Sequence, residues 1–370
     1  MSAPLVVRRL GRVEYADGLS LLEAFRTARV AGLIPDTLLL LEHFPVLTLG
    51  RKGRRSDVLA SAEKLAARDL EIFETDRGGE VTYHGPGQLV AYPIIDLSPD
   101  RRDVRRYVRD LEETMLRVAR DQGVLAGRVE GLNGIWLSAD ASPPSAGPAR
   151  KLGAVGVHLS RWVTSHGFAL NVNTDLSAFD LIVACGVHDR GVTSLQRELG
   201  AARQMAQVED QVVRQFSALF DRTPREAPPD HTTVQVQVVR DGEAGPELLA
   251  LQRTPARGGF WQPVTGHVEP GELAQTAAQR ELFEETGWAA PVRSLDYSHA
   301  FFLPASDERS GWGSVAREVT FMAEVPRASL PRLSAEHECA AWLPLSEALG
   351  RFSFPGLRRA ARLAAIPGLP

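Results

Sequence analysis

The feature that most restricts this chain lies in its last third. Gly266 is followed after five residues by Glu272 and after seven more by Arg280-Glu281-Leu282-Phe283-Glu284-Glu285-Thr286-Gly287-Trp288. Glu281, Glu284 and Glu285 fall at i, i+3 and i+4, so a helix puts all three on one face. Three crowded carboxylates repel one another, and a hard divalent cation that prefers oxygen relieves the repulsion. Gly266 and Gly271 shape a loop before that helix, and Arg280 is placed to orient a neighbouring glutamate. An acidic helix alone reads as a solvated surface. Seven fixed residues and two apolar positions at set spacing do not, since average residue usage predicts a chance match in on the order of one in a billion windows.

The chain has 370 residues, enough for two domains. A break falls in the proline-rich stretch 223–229, between a helix-like segment at 208–220 and a strand-like alternation of Val234, Val236 and Val238. This sets a boundary near 224–231 and domains at 1–224 and 231–370. A second such stretch, 141–148, reads as a loop inside the first domain. There, Ser98-Pro99 is a helix start signal. Val104, Val108, Leu111, Met115 and Val118 follow at helical spacing, and Gly123 can end the helix. Segments 38–41, 89–95 and 135–137 read as strands, so this domain mixes α and β. The formal charge of −4 argues against a strongly basic nucleic-acid binder. No apolar run approaches the roughly 18 residues of a membrane span, and Leu5-Val6-Val7 before Arg8-Arg9 is too short for a signal-peptide core. Two cysteines, Cys185 and Cys339, exclude a disulfide scaffold. The expectation is a cytoplasmic enzyme with neither membrane nor nucleic acid as partner.

Three clusters in the first domain carry chemistry. The first is Arg77-Gly78-Gly79-Glu80-Val81-Thr82-Tyr83-His84-Gly85-Pro86-Gly87-Gln88, a glycine-rich turn able to bring backbone N–H groups close to a ligand. A pair of plain β-turns fits it equally well. The second is Lys151-Leu152-Gly153-Ala154-Val155-Gly156, leading to His166-Gly167-Phe168-Ala169-Leu170-Asn171. Its small residues leave room for a packed neighbour, the commoner reason, or for a ligand chain. The third surrounds Cys185, which judged alone reads as an inert buried thiol. Together they say more. A free thiol has a pKa near 8.5 and is mostly protonated at neutral pH. A nearby amine can take its proton. Of 42 basic residues only Lys52, Lys64 and Lys151 are lysines, and only lysine can lose a proton near neutrality.

These clusters, with Glu42-His43-Phe44-Pro45-Val46 and Gly50-Arg51, resemble the octanoyl-[acyl carrier protein]:protein octanoyltransferase family, also called lipoate–protein ligase B, over about residues 5–220. The resemblance implies an α+β biotin/lipoate ligase-like fold around a mixed sheet, and octanoyl transfer for lipoate biosynthesis. Cys185 would take octanoyl from acyl carrier protein as a thioester. A lysine of a lipoyl carrier domain, in 2-oxoacid dehydrogenases or glycine cleavage H protein, would then receive it. Lys151 would move the protons in both halves. No ATP and no cofactor are needed. The acyl site would comprise Arg77, Gly78, Gly79, Glu80, Val81, Thr82, Tyr83, His84, Ala154, Val155, Gly156, Gly167, Phe168 and Ala169. The proline-rich insert before Lys151 departs from the family's pattern. Two alternatives stand beside this reading. One is an ATP-dependent lipoate or biotin ligase, whose nucleotide-binding lysine pattern is not seen. The other is a Cys/His hydrolase pairing Cys185 with His166 or His84. Arg101, Arg105 and Arg109, with Arg102 and Arg106, recur every four residues and read either as a solvated stripe or as a docking face for acidic carrier domains.

The glycine–glutamate pattern of the second domain resembles the complete Nudix box. It implies an α/β/α sandwich with a mixed sheet. The implied reaction is hydrolysis of nucleoside diphosphate-linked substrates, with Mg²⁺ or Mn²⁺ held by Glu281, Glu284 and Glu285 and Glu281 also catalytic. Phe260-Trp261-Gln262-Pro263-Val264-Thr265-Gly266, Glu336-His337 and Trp342 resemble the dihydroneopterin triphosphate pyrophosphatase branch. Glu336 is a candidate base or metal ligand, with Glu338 second. Trp261 suits ring stacking or core packing. Nucleoside triphosphates, dinucleoside polyphosphates and ADP-ribose stay open as substrates. So does a non-catalytic nucleotide-binding module that regulates the first domain. With no lysine in this domain, phosphate contacts fall to arginine, for example Arg253. Cys339 reads as structural.

Overall fold

The structure is a computed structural model that describes residues 2–141, 144–183, 190–305 and 312–366. It divides into two compact units between Pro228 and Pro229.

The first unit runs β1 (Ala3–Val13), α1 (Tyr15–Val30), β2 (Asp36–His43), β3 (Val46–Leu49), α2 (Ala62–Ala66), β4 (Glu71–Glu74), β5 (Val81–His84), β6 (Gln88–Ile94) and α3 (Val104–Asp121). It continues with β7 (Ile135–Leu137), β8 (Arg150–Ser160), β9 (Val163–Asn171), β10 (Gly191–Val192), α4 (Leu195–Leu199), α5 (Met205–Phe220) and β11 (Arg222–Glu226). Its main sheet has the order β10-β8-β9-β6-β2-β1-β11, with β7 beside β8. The sheet is mixed: β1 runs parallel to β2 and β11, while β2–β6, β6–β9 and β8–β9 are antiparallel. A smaller sheet orders β4-β3-β5. Alternation along the strands divides the two faces. Leu38 and Leu40 of β2 with Leu89 and Ala91 of β6 join the core that α3 and α5 cover, while Val90 and Tyr92 of β6 line the cavity described below.

Three expectations need correction. The Ser98-Pro99 signal makes a turn, not a helix start. The helix begins at Val104, where the Asp103 side chain accepts the Arg106 N–H at 3.0 Å. Arg101 and Arg102 therefore precede it, and Arg101 is held by Asp110 at 2.7 Å, so the expected basic stripe is shorter. The stretch read as a linker starts as strand β11, with Pro224 opposite Leu5. Proline is tolerated there because β11 is the edge of the sheet.

The second unit runs β12 (His231–Asp241), β13 (Pro246–Arg253), β14 (Trp261–Gln262), β15 (Val264–His267), α6 (Ala274–Thr286), β16 (Val292–Leu303), β17 (Ser314–Glu324), β18 (His337–Pro344), α7 (Leu345–Arg351) and α8 (Pro355–Ala364). Its sheet orders β14-β13-β12-β17-β16, with β15 on β12 and β18 on β13. β12 and β17 are parallel and the other pairs antiparallel. Val234, Val236 and Val238 face Ala277, Ala278 and Leu282 of α6. Val239, Leu248 and Met322 face Ala348 of α7 and Leu357 of α8. Helices thus cover both faces, the expected α/β/α sandwich. Among the described residues no helix is long and apolar enough to cross a membrane.

Candidate functional site

In the first unit, strands β5, β6, β8 and β9 enclose a cavity of about 240 Å³. Twelve of the fourteen expected acyl-site residues line it, together with Lys151. Tyr83 and Gly78 do not. Tyr83 packs instead against Phe179, with ring centroids 5.5 Å apart. Gly78 donates its N–H to the Val157 carbonyl at 3.0 Å and so ties the glycine loop to β8. Gly156 and Gly167 sit opposite each other on β8 and β9. A Cβ on Gly156 would meet the Gly78 carbonyl, and one on Gly167 the Ala91 carbonyl. Close backbone packing therefore explains these glycines, and the same packing opens the cavity.

Arg77 lines the cavity, but much of its guanidinium serves the loop. Nη2 donates to the Thr48 and Glu80 carbonyls, each at 2.9 Å, and to Thr48 Oγ1 at 2.8 Å. Sequence reasoning missed Tyr15, Lys52, Tyr92 and the 131–133 loop as lining residues, and did not single out His43 behind them. The signals were a polar ring within each of two buried strands, His43 in β2 and Tyr92 in β6, and the rarity of lysine, which marks Lys52.

The hydrogen bonds fix where the protons sit. The Val13 carbonyl can only accept, so His43 Nδ1–H donates to it at 2.9 Å. Burial holds His43 neutral, with its pKa down to about 4. Its Nε2 then accepts the Tyr92 hydroxyl at 2.8 Å. Gln88 Nε2 donates to the Tyr83 carbonyl and to Asn171, leaving Oε1 to accept His84 Nδ1–H at 2.6 Å. Burial, then the nearby His43 and Arg77, hold the His84 pKa well below its ordinary value. His166 Nε2–H donates to Asp76 at 2.8 Å, and this bond chiefly lowers the Asp76 pKa to about 2. Both histidines weighed as partners of Cys185 thus have one nitrogen committed elsewhere.

Lys151 lies in β8, directly opposite Trp136 of β7. Cys185 lies outside the described residues. Before its segment, the Val183 N–H donates to the Asp57 carbonyl at 2.8 Å. After it, Gly191 and Val192 pair with Arg150 and Lys151. Both ends of the thiol-bearing segment are anchored, one of them on the lysine's own strand.

In the second unit the three carboxylates of α6 do not converge as expected. Among the described residues no three His, Cys, Asp or Glu side chains are grouped to hold a metal ion. Arg280 draws off two of them, Glu281 at 2.8 Å and Glu284 at 3.3 Å, while also binding Glu272 and the His267 carbonyl. Glu285 is buried, and its Oε2 has no hydrogen-bond partner. Burial first, then the charge of Glu281, pushes its pKa up to about 9. An orphaned carboxylate oxygen under the charges of Glu281 and Glu336 has the chemistry that suits a hard cation, so the residues fit the implied metal. The first glycine of the motif has a steric reason: a Cβ on Gly266 would collide with the Glu281 carboxyl group. Glu336 is held by Arg257 at 2.8 Å and Arg253 at 3.4 Å. Glu338 is exposed. Trp261 packs on the core under α7 and α8, with Arg351 over its ring at 4.8 Å. Cys339, expected as structural, is an exposed thiol on Gln252 at 3.3 Å.

Comparison with known proteins finds the lipoyl protein ligase A/B catalytic domain over residues 14–217 and the NUDIX domain over residues 230–362. The chain is 49% identical to the octanoyltransferase of Myxococcus xanthus over 365 residues, covering 97% of this chain and 99% of that protein. It is 49% identical to the octanoyltransferase of Chloroflexus aggregans over 221 residues, covering 60% of this chain and 96% of that protein. Among solved structures it is similar to the E. coli dihydroneopterin triphosphate pyrophosphohydrolase, with TM-score 0.32 and 24% identity, over 37% of this chain and 96% of that chain.

Proposed function

The chain belongs to the octanoyltransferase family, with a lipoyl protein ligase A/B catalytic domain followed by a NUDIX domain, and on that premise we propose that octanoyl passes through a thioester on Cys185. The Cys185 thiolate attacks the carbonyl carbon of octanoyl–acyl carrier protein, and the carrier thiol leaves with a proton. The ε-amine of a lipoyl-domain lysine then attacks, an amide forms, and the thiolate is released. Lys151 takes the thiol proton in the first half and the amine proton in the second. The acceptors are the lipoyl domains of 2-oxoacid dehydrogenases and glycine cleavage H protein. The observation that carries this reading is Lys151 at the cavity wall, on the strand to which the chain after Cys185 returns. The thioester keeps the acyl group activated, so no ATP enters. Intact-mass measurement after mixing with octanoyl–acyl carrier protein tests it. An octanoyl adduct on Cys185 that moves to a lipoyl domain is the expected result. A need for ATP, or release of free octanoate alone, would defeat it.

For the second unit we propose metal-dependent hydrolysis of a diphosphate-linked substrate, with dihydroneopterin triphosphate the first compound to try. Support comes from the partnerless Glu285 oxygen. Glu281, Glu284 and Glu285 would hold Mg²⁺ or Mn²⁺, which supplies charge neutralisation at the diphosphate and an activated water. Arg280 keeps Glu281 and Glu284 from repelling each other, and Gly266 leaves room for Glu281. The test is a screen of pterin and nucleoside triphosphates, dinucleoside polyphosphates and ADP-ribose with Mg²⁺, wild type against Glu284→Gln. Hydrolysis lost in the variant supports the reading. Binding of a nucleotide without turnover would make the unit a regulatory module.

A further inference from the structure

The register of β7 on β8 sets Trp136 directly across from Lys151. The lysine Nζ lies 4.5 Å from the centroid of the indole. Trp136 is 1% exposed, and its backbone is pinned by two 2.8 Å hydrogen bonds with Gly127. The indole N–H is buried and has no hydrogen-bond partner. Phenylalanine at this place would avoid that unmet donor. What indole adds is a stronger negative π face, the best of the aromatic side chains at attracting a cation. A second cation shares the ring: the Arg190 guanidinium lies 5.6 Å from the same centroid. Arg190 is the residue directly after the segment that carries Cys185, and it leads into β10, which pairs with Arg150 and Lys151.

We propose that Trp136 is a positioning residue for octanoyl transfer, its indole face holding the ammonium that Lys151 becomes on taking the Cys185 proton, and tying that lysine to the end of the cysteine segment through Arg190. The proposal rests on the Cys185–Lys151 reading above. The ring attracts the ammonium more strongly than the neutral amine, so it favours the state in which the proton has left sulfur. Other charged and titratable groups share these surroundings. Arg190 follows the cysteine segment, and Glu198 of α4 binds the adjacent Arg150 at 3.2 Å. Lys52, Arg77, Glu80, His84 and His166 line the same cavity.

The test follows Cys185 alkylation by iodoacetamide against pH, in a Cys339→Ala background so that one thiol reports. Wild type is compared with Trp136→Phe, Trp136→Leu and Lys151→Met. The expected alkylation midpoint rises by about one pH unit in Trp136→Leu, and by less in Trp136→Phe, which keeps a weaker π face. The transfer kcat/KM falls in the same order, by about tenfold in Trp136→Leu, with KM for octanoyl–acyl carrier protein unchanged. If Lys151→Met raises the midpoint while Trp136→Phe leaves it at the wild-type value, the indole role is wrong and the dyad stands. If Lys151→Met itself leaves the midpoint unmoved, the dyad reading fails. Trp136→Phe keeps the ring volume nearly filled, so it decides the matter even if Trp136→Leu does not fold.

Discussion

The cavity of the first unit and the carboxylate helix of the second handle charge in opposite ways. Behind the cavity two buried histidines are neutral and satisfied: His43 between Val13 and Tyr92, and His84 on Gln88. On α6 one buried carboxylate oxygen has no partner, while Nη1 of Arg280 binds both of the other carboxylates expected to face it. The contrast teaches that one chain can match buried polar groups with its own residues in one place and leave a buried carboxylate oxygen unmatched in another.

The largest expected effect bears on the first side of this contrast. Lys151→Met should lower octanoyl transfer by roughly a thousandfold or more, while metal-dependent hydrolysis by the same chain stays at the wild-type rate. Loss of both would break the independence of the two sites. Next comes Glu285. Without metal its folded pKa of about 9 lies above the unfolded value near 4.5. Below the lower value both states are protonated and Glu285 costs the second unit no stability. As pH rises between the two values, the unfolded chain releases a proton that the folded chain keeps, so stability falls until about pH 9. Thermal unfolding in chelator should show that decline. Glu285→Gln should flatten it and abolish hydrolysis, whereas a slope equal to wild type would clear Glu285 as its source. The smallest effect concerns the neutral wall. Tyr92→Phe removes the hydroxyl bonded to buried His43 and should destabilise the first unit by about 1–3 kcal/mol in denaturant titration. Transfer should fall tenfold at most.

How much of this was legible in the sequence differed between the units for a physical reason. The α6 carboxylates and the glycine beneath them are close in sequence, so their spacing revealed the helix face. Their charge balance was not legible, because which glutamate Arg280 holds depends on how the β15 loop returns to α6. In the first unit the glycine loop and the small residues of β8 and β9 were visible as composition. Tyr15, Lys52 and Tyr92 were not, since they reach the cavity only through folding of α1, the chain after β3, and β6. Trp136 was hidden for the same reason: its importance lies in facing Lys151 across a strand pair. The units divide inside the proline-rich stretch, but strand β11 at its start was not legible, because an edge strand accepts proline as readily as a linker does.

Both reactions run by one full-length preparation, with and without a strong chelator and with ATP withheld, put the central contrast to its most direct test. Octanoyl transfer at an unchanged rate beside complete loss of hydrolysis is the expected outcome. Transfer that stops in chelator, or hydrolysis that survives it, would contradict the account.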